Sequence, residues 1–180
     1  MKVLILYASE EGHTGRIARF IEDEVKALGH EVELMDADDP AGLSFKDIGA
    51  VILAAPVHQR RHPRNFEALV SAYSERLNRL KTLFVSVSLS AAFAEGLEEA
   101  RDYVVEMKMR TGLEPDAEIL VAGAIRTSHY DFFAMQVVRH VVLRDRDVDP
   151  NLSEHVFTDW STPVSYTHLT LPTTCNLCRS

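Results

Sequence analysis

Cysteine is nearly absent from this chain. Its 180 residues include two cysteines, Cys175 and Cys178, and both lie at the end of the sequence. The residues before them therefore offer neither a disulfide framework nor a cysteine nucleophile. The Cys-x-x-Cys spacing resembles a metal or redox motif, but no second pair and no strand-to-helix context accompany it. We interpret the pair as inert.

Positive charge and long apolar runs are also scarce. The chain has 19 basic and 27 acidic residues, a net charge of −8, so it lacks the electrostatic footprint of a nucleic-acid binder. No apolar run reaches the roughly 18 residues of a spanning helix, and the apolar start at 3–7 is too short for a secretory signal. We expect a cytoplasmic protein that binds no nucleic acid. Its length fits one ordinary domain.

Compact apolar runs alternate with segments of helical periodicity. Strands are predicted over 2–8, 31–35, 50–55, 82–88 and 119–122, the last resuming through 124–126. Apolar residues at helical spacing predict helices within 17–28, 66–77 and 97–107, with Gly29 and Gly112 at the ends of the first and third. This alternation implies an α/β domain with a parallel sheet covered on both faces. Ligands of such sheets bind outside the carboxyl ends of the strands.

The loop after the first predicted strand has the residues that a phosphate site needs. Residues 9–14 read Ser-Glu-Glu-Gly-His-Thr and lead directly into a helix. The amino end of a helix offers N–H donors to an anion, and Ser9 and Thr14 add hydroxyl groups. The alternative is an ordinary cap, in which one of these hydroxyls satisfies a backbone N–H. Glu10 and Glu11 oppose a phosphate unless their carboxylates point to solvent.

The same loop lacks the two commoner nucleotide signatures. Without Gly-x-Gly-x-x-Gly a dinucleotide site is disfavoured, and without the Gly-Lys-Ser/Thr of a P-loop so is nucleotide hydrolysis. The phosphate of a mononucleotide remains the favoured ligand.

A second loop, over residues 56–64, concentrates positive charge in an otherwise acidic chain. It could stabilise a reduced, anionic ring or attract an anionic substrate; the alternative is a solvated surface loop. His58 and His62 have metal-like spacing, but Pro63 opposes a helix through them and no third ligand is evident, so we predict no metal site. The small residues over 86–90 could let a planar ring approach or could form a plain turn.

Two later segments carry hypotheses of their own. Residues 131–143 predict a helix capped by Asp131, whose wide apolar face packs in the core or meets a membrane surface or a lipophilic electron acceptor. Residues 154–160 begin like the closing helix of a doubly wound domain, but Pro163 and a Thr-Leu-Pro-rich stretch follow. We therefore interpret 161–180 as an atypical tail outside the native fold.

Five segments together resemble the flavodoxin family, and more closely its menaquinone-dependent protoporphyrinogen oxidase branch. The resemblance extends from Met1 to about Trp160 and is carried by residues 7–14, 54–58, 85–89, 122–126 and 157–160. It implies a flavodoxin-like doubly wound sheet of five parallel strands in the order 2-1-3-4-5, with helices on both faces and one FMN-binding domain over 1–160.

The resemblance also implies the site. The FMN phosphate would lie on 9–14, and the flavin ring between the second loop and the loop after the fourth strand. The implied cofactor-binding residues are Ser9, Glu10, Glu11, Gly12, His13, Thr14, Pro56, Val57, His58, Gln59, Arg60, His62, Ser88, Leu89, Ser90 and Ala91. Related proteins tend to have a glycine where this chain has Arg60, and the connection over 89–95 is short.

The implied reaction is the oxidation of protoporphyrinogen IX to protoporphyrin IX, a step of haem biosynthesis, with a quinone as electron acceptor. The chemistry would be flavin-centred, because no side chain is an obvious acid or base. Arg60, Arg61 and Arg64 are the candidates for contacts with the carboxylates of the anionic porphyrinogen. Such an enzyme would be cytoplasmic or peripheral at the inner face of the membrane, through 131–143.

Two alternatives remain open. A flavodoxin that carries electrons between protein partners would share the fold, but such carriers surround the ring with acidic residues, whereas the second loop here is basic. A flavin-free binding module is the other alternative, because Arg60 replaces the expected glycine.

Overall fold

Five parallel strands form the centre of the molecule in the computed structural model, which describes residues 1–126 and 154–161. The strands are β1 (Lys2–Tyr7), β2 (Glu31–Asp36), β3 (Ile48–Pro56), β4 (Lys81–Ser88) and β5 (Ala117–Ala122). Their order is β2-β1-β3-β4-β5, which confirms the predicted doubly wound sheet. The helix predicted over 131–143 and the tail 162–180, with both cysteines, lie outside the described residues.

Helices pack on both faces of this sheet. They are α1 (His13–Ala27), α2 (Arg64–Leu77) and α3 (Leu97–Thr111). Ile17 and Ile21 of α1 pack on one face, together with Val3 and Ile5 of β1. Phe66 and Val70 of α2 and Met107 of α3 pack on the other face, against Leu4 and Leu6. Because β1 is buried on both sides, its sequence is apolar throughout instead of alternating.

Helices α1 and α3 end near the glycines that the sequence analysis places at their carboxyl ends. Gly29 and Gly112 both adopt positive φ, at 83° and 72°; Gly112 comes directly after α3, and one residue, Leu28, separates Gly29 from α1. The N–H of Gly112 donates to the Lys108 carbonyl at 2.8 Å, which satisfies a carbonyl of the last helical turn. No helix in the described ranges is both long and apolar enough to cross a bilayer.

Two expectations near the end of the sheet are wrong. Residues Ala124–Arg126 do not continue β5 but form a separate strand, β6, and Glu154–Val156 form a strand, β7, instead of the start of a helix. β6 and β7 pair antiparallel, with Ala124 opposite Val156. Gly123 turns the chain between β5 and β6, and its N–H donates to the Ser88 carbonyl at 3.0 Å. The ribbon therefore begins beside the carboxyl end of β4.

Two short 3₁₀ turns, Ser90–Ala92 and Ala94–Gly96, connect β4 to α3. They pack tightly, because a Cβ on Gly96 would lie 2.3 Å from the Ser90 carbonyl oxygen. The short connection seen in the sequence is thus a compact structure beside the sheet edge where ligands bind.

Candidate functional site

A groove lies outside the carboxyl ends of the strands, where the strand order reverses between β1 and β3. Its walls come from the start of α1, the ends of β3 and β4, and the link between β5 and β6. The lining residues are Glu11, His13, Thr14, Pro56, Val57, His58, Val87, Ser88, Leu89, Gly123 and Ala124. Doubly wound sheets bind their ligands at such an edge.

The amino end of α1 forms one end of the groove. Gly12 precedes the helix in the left-handed conformation, with φ at 82°, and it has no side chain to cap the helix. No N-cap side chain therefore competes with an anion for the amino end. The Oγ atom of Ser9, three residues before Gly12, accepts the N–H of Gly15, the third residue of α1, at 3.0 Å, so the predicted alternative of a capping hydroxyl is present for one N–H of the first turn.

A tight turn follows β3 and borders the groove through His58. The N–H of His58 donates to the Arg61 carbonyl at 2.9 Å, and the Arg61 N–H donates back to the His58 carbonyl at 3.0 Å. The two residues between them, Gln59 and Arg60, both have left-handed conformations, with φ at 48° and 65°. Arg60 thus adopts the backbone conformation that the expected glycine would favour.

Carboxylates from two helices neutralise Arg60 and Arg61 of this loop. Arg60 pairs with Glu99 of α3, and its guanidinium lies 5.6 Å from the centre of the Tyr103 ring. Hydrogen bonds from Tyr103 and from Ser90 hold the pKa of Glu99 below its usual value. The side chain of Arg60 therefore folds back on α3.

The second arginine belongs to a partly buried ionic cluster. The Nε atom of Arg61 donates to Oε2 of Glu67 at 2.9 Å, and Arg110 donates to Oε1 with Nε at 3.0 Å and Nη2 at 2.8 Å. Glu67 is 4% exposed. Burial alone would raise the pKa of its carboxyl, but the hydrogen bonds from Arg110 and Arg61 lower it. This cluster joins the second loop to α2 and α3.

His62 is buried beneath the loop and does not line the groove. It is 1% exposed, and its Nε2 atom lies 3.0 Å from the Ser86 hydroxyl of β4. Its Nδ1 atom has no hydrogen-bond partner among the described residues. Burial lowers the pKa of His62 to about 4, so the ring is neutral at physiological pH.

The segment after β7 reaches back to the start of α1. The Oγ1 atom of Thr158 lies 2.7 Å from Nε2 of His13 and donates to the Ala122 carbonyl at 2.6 Å. The Trp160 ring packs edge-on against the rings of His13 and Phe20, with centroids 6.2 and 5.1 Å apart. Residues 157–160 therefore hold one wall of the groove in place.

Comparison with known proteins agrees with this architecture. Residues 4–149 match the sequence profile of the family described as Flavodoxin domain. The chain belongs to the flavodoxin-domain family. The chain is 25% identical over 161 residues to a protein of Escherichia coli K12 named protoporphyrinogen IX dehydrogenase [quinone], and the match covers 89% of each chain.

Solved structures show the same fold. The two-electron reduced flavodoxin of Megasphaera elsdenii has a TM-score of 0.50 at 20% identity, over 66% of this chain and 84% of its own. A short-chain flavodoxin associated with a bacterial microcompartment has a TM-score of 0.50 at 13% identity, over 67% of this chain and 82% of its own.

Half of the sixteen predicted cofactor-binding residues line the groove of the flavodoxin domain. They are Glu11, His13, Thr14, Pro56, Val57, His58, Ser88 and Leu89. The others are neighbours in the same loops: Ser9, Glu10, Gly12, Gln59, Arg60, His62, Ser90 and Ala91. Glu10, for example, lies 3.7 Å from Nε2 of His58. Whether each residue contacts a cofactor stays a prediction.

Three lining residues are not among the predicted cofactor-binding residues, although 86–90 and 122–126 were both singled out in the sequence. Val87 is the penultimate residue of β4, and Gly123 and Ala124 follow β5. The signal that could have found the last two is the glycine directly after a buried strand, because loops at every carboxyl end of such a sheet share one edge.

Proposed function

We propose that the groove holds FMN and that the protein is an FMN-dependent oxidoreductase. The observation that carries the proposal is the location of the groove: it joins the amino end of α1 to the turn after β3 and to the end of β4. Membership of the flavodoxin-domain family supports FMN as the cofactor, in agreement with the sequence analysis.

The donor set of the groove fits the two ends of such a cofactor. The amino end of α1, whose N-cap residue Gly12 has no side chain, and the Thr14 hydroxyl suit a phosphate. Pro56, Val57 and Leu89 offer apolar surface for a planar ring. The Ser88 hydroxyl accepts the Ala91 N–H at 3.2 Å, which fixes the loop after β4 beside this surface.

Bound FMN would take electrons from a reduced substrate and pass them to an acceptor. The protein's own residues would bind the phosphate, orient the ring and set the charge around it. The clusters at Arg60 and Arg61 keep the second loop in one conformation beside the ring. Preorganised polar groups of this kind act without rearranging during the reaction.

We further propose that the substrate is a porphyrinogen and the acceptor a quinone. The name of the Escherichia coli relative supports this reaction, and the proposed substrate, protoporphyrinogen IX, is anionic. Of the three predicted arginines, Arg64 is exposed and has no carboxylate partner among the described residues, whereas Arg60 and Arg61 are already paired. Arg64 is therefore the first candidate for a substrate carboxylate.

The cofactor is tested by the visible spectrum of the purified protein and by titration with FMN. We expect a flavin spectrum, or quenching of FMN fluorescence on addition to the colourless protein. A protein that is colourless and leaves FMN fluorescence unchanged would reject the proposal, and only a flavin-free binding module would remain.

The reaction is tested by anaerobic mixing with protoporphyrinogen IX and a menaquinone analogue. We expect faster porphyrin formation than without protein, and a higher KM with unchanged FMN affinity in Arg64→Gln. Arg79→Gln is the matched control, because Arg79 is also exposed, lies just beyond the other end of α2 from Arg64 and pairs with Glu75. FMN binding without accelerated porphyrin formation would favour the electron carrier.

A further inference from the structure

We propose that Thr158 is a positioning residue for the phosphate of FMN, acting through His13. The inference rests on the proposed function, because it concerns which part of FMN the groove recognises. It assigns a role at the site to the segment that follows β7. That segment is separated from α1 by most of the sequence, since Thr158 and His13 lie 145 positions apart.

The hydrogen bonds of Thr158 fix where its proton lies. A hydroxyl has one proton, and the Ala122 carbonyl 2.6 Å away can only accept. The hydroxyl proton of Thr158 therefore points to the Ala122 carbonyl. Its Oγ1 atom must then accept a hydrogen bond from Nε2 of His13, 2.7 Å away. The His13 ring consequently has its proton on Nε2.

Packing restrains the same ring. His13 is 6% exposed and Thr158 is 9% exposed, so neither group exchanges its partner freely with water. The Trp160 ring lies edge-on to the imidazole, at 65° between the planes. The hydrogen bond and the aromatic contact together allow one orientation of the His13 side chain.

This orientation fixes the part of the groove wall that His13 forms at the amino end of α1. His13 is the first residue of α1 and lines the groove, at the positive end of the helix dipole. Because Nε2 donates to Thr158, the imidazole cannot turn away from the wall of the groove, and the first residue of α1 keeps one position at the amino end of the helix. Thr158 thus holds His13 in place where the amino end of α1 would meet a phosphate, and it should favour FMN over riboflavin, which has no phosphate.

The experiment compares the dissociation constants of FMN and riboflavin, measured by flavin fluorescence. Thr158→Val removes the acceptor at nearly constant shape, and we expect about tenfold weaker FMN binding with riboflavin binding changed by less than about twofold. Thr158→Ser keeps the hydroxyl and should restore the wild-type selectivity.

Thr82→Val is the matched control. Thr82 is 2% exposed, and its hydroxyl donates to the Leu77 carbonyl at 2.9 Å, at the opposite end of β4 from the groove. Thr82→Val loses a hydrogen bond from a buried threonine hydroxyl to a backbone carbonyl, as Thr158→Val loses the one to Ala122. We expect lower stability in this variant and an unchanged ratio of FMN to riboflavin affinity.

Several outcomes separate the inference from its alternatives. If Thr158→Val weakens both flavins equally, or neither, the inference is wrong while the proposed function stands. If the wild type binds no FMN, the proposed function itself fails. A measurement on the unaltered protein guards against a misfolded variant: the ¹⁵N pattern of His13 should show a proton on Nε2, and a neutral ring protonated on Nδ1 would overturn the inference.

Discussion

Arg60 is a strained residue that its neighbours hold in place. An L-residue in the left-handed region costs about 1–2 kcal/mol, and the turn contains two such residues in succession, Gln59 and Arg60. The paired hydrogen bonds of His58 and Arg61 close the turn, and Glu99 anchors the Arg60 side chain. Strain of this kind persists where surrounding contacts determine the conformation, often beside functional sites.

The strain predicts that glycine at position 60 is more stable than alanine, which is the reverse of the order expected within a helix. Arg60→Gly and Arg60→Ala both lose the contacts with Glu99 and Tyr103, but only glycine relieves the positive φ. We expect Arg60→Gly to unfold with a free energy about 1 kcal/mol higher than Arg60→Ala, measured by urea denaturation. At Glu75, exposed within α2, the alanine variant should be the more stable by a similar amount. The same order at both positions would contradict the strain at Arg60.

His62 should make the stability of the protein depend on pH. Its pKa of about 4 in the folded state lies below the usual 6.5, because burial disfavours the charged ring. Between these values the unfolded chain binds more protons, so stability falls as the pH is lowered from about 6.5 to about 4. Between pH 7 and pH 5 we expect the wild type to lose about 2 kcal/mol more than His62→Gln in urea denaturation. Equal losses in the two proteins would mean that His62 is accessible to protons.

The regular elements could be predicted from the sequence because their signals are local. Ile17, Ile21 and Val25 recur at helical spacing and mark α1, and the unbroken apolar run at Val3–Tyr7 marks a strand buried on both faces. β6 and β7 were assigned incorrectly because each has three residues. So short a segment shows no period, and its conformation is decided by the partner strand.

Glu67 lies on α2 and links this helix to the second loop and to α3. Its loss should therefore weaken the contacts among all three. It accepts hydrogen bonds from Arg61 in the second loop and from Arg110 at the end of α3. Glu67→Gln would leave both guanidinium groups with a weaker acceptor, and we expect the free energy of unfolding to fall by about 2 kcal/mol. Glu75→Gln, at an exposed pair on the same helix, should change it by less than about 0.5 kcal/mol. Similar values for both variants would show that the cluster adds no stability.

The whole site could be predicted only in part from the sequence. The loops after β1, β3 and β4 were found because each follows a recognisable strand. The pairing of Arg60 with Glu99 and of Arg61 with Glu67 was not found, because these partners come from separate helices and leave no local pattern. His13 and Thr158 lie 145 positions apart in the sequence, so their contact leaves no local pattern either. Charge counted along the second loop therefore overstated the positive charge available to a ligand.

The contacts of residues 157–160 predict where the flavin-binding unit ends. A chain that stops after Ser161 keeps Thr158 and Trp160, and we expect its FMN dissociation constant to stay within about twofold of the full chain. A chain that stops after Val156 loses both, and with them the restraint on His13 and the packing against Phe20, so FMN binding should weaken by at least about tenfold. FMN titration with circular dichroism on each chain provides the measurement. Equal loss in both chains would place residues 162–180 within the binding unit and reject their interpretation as an atypical tail.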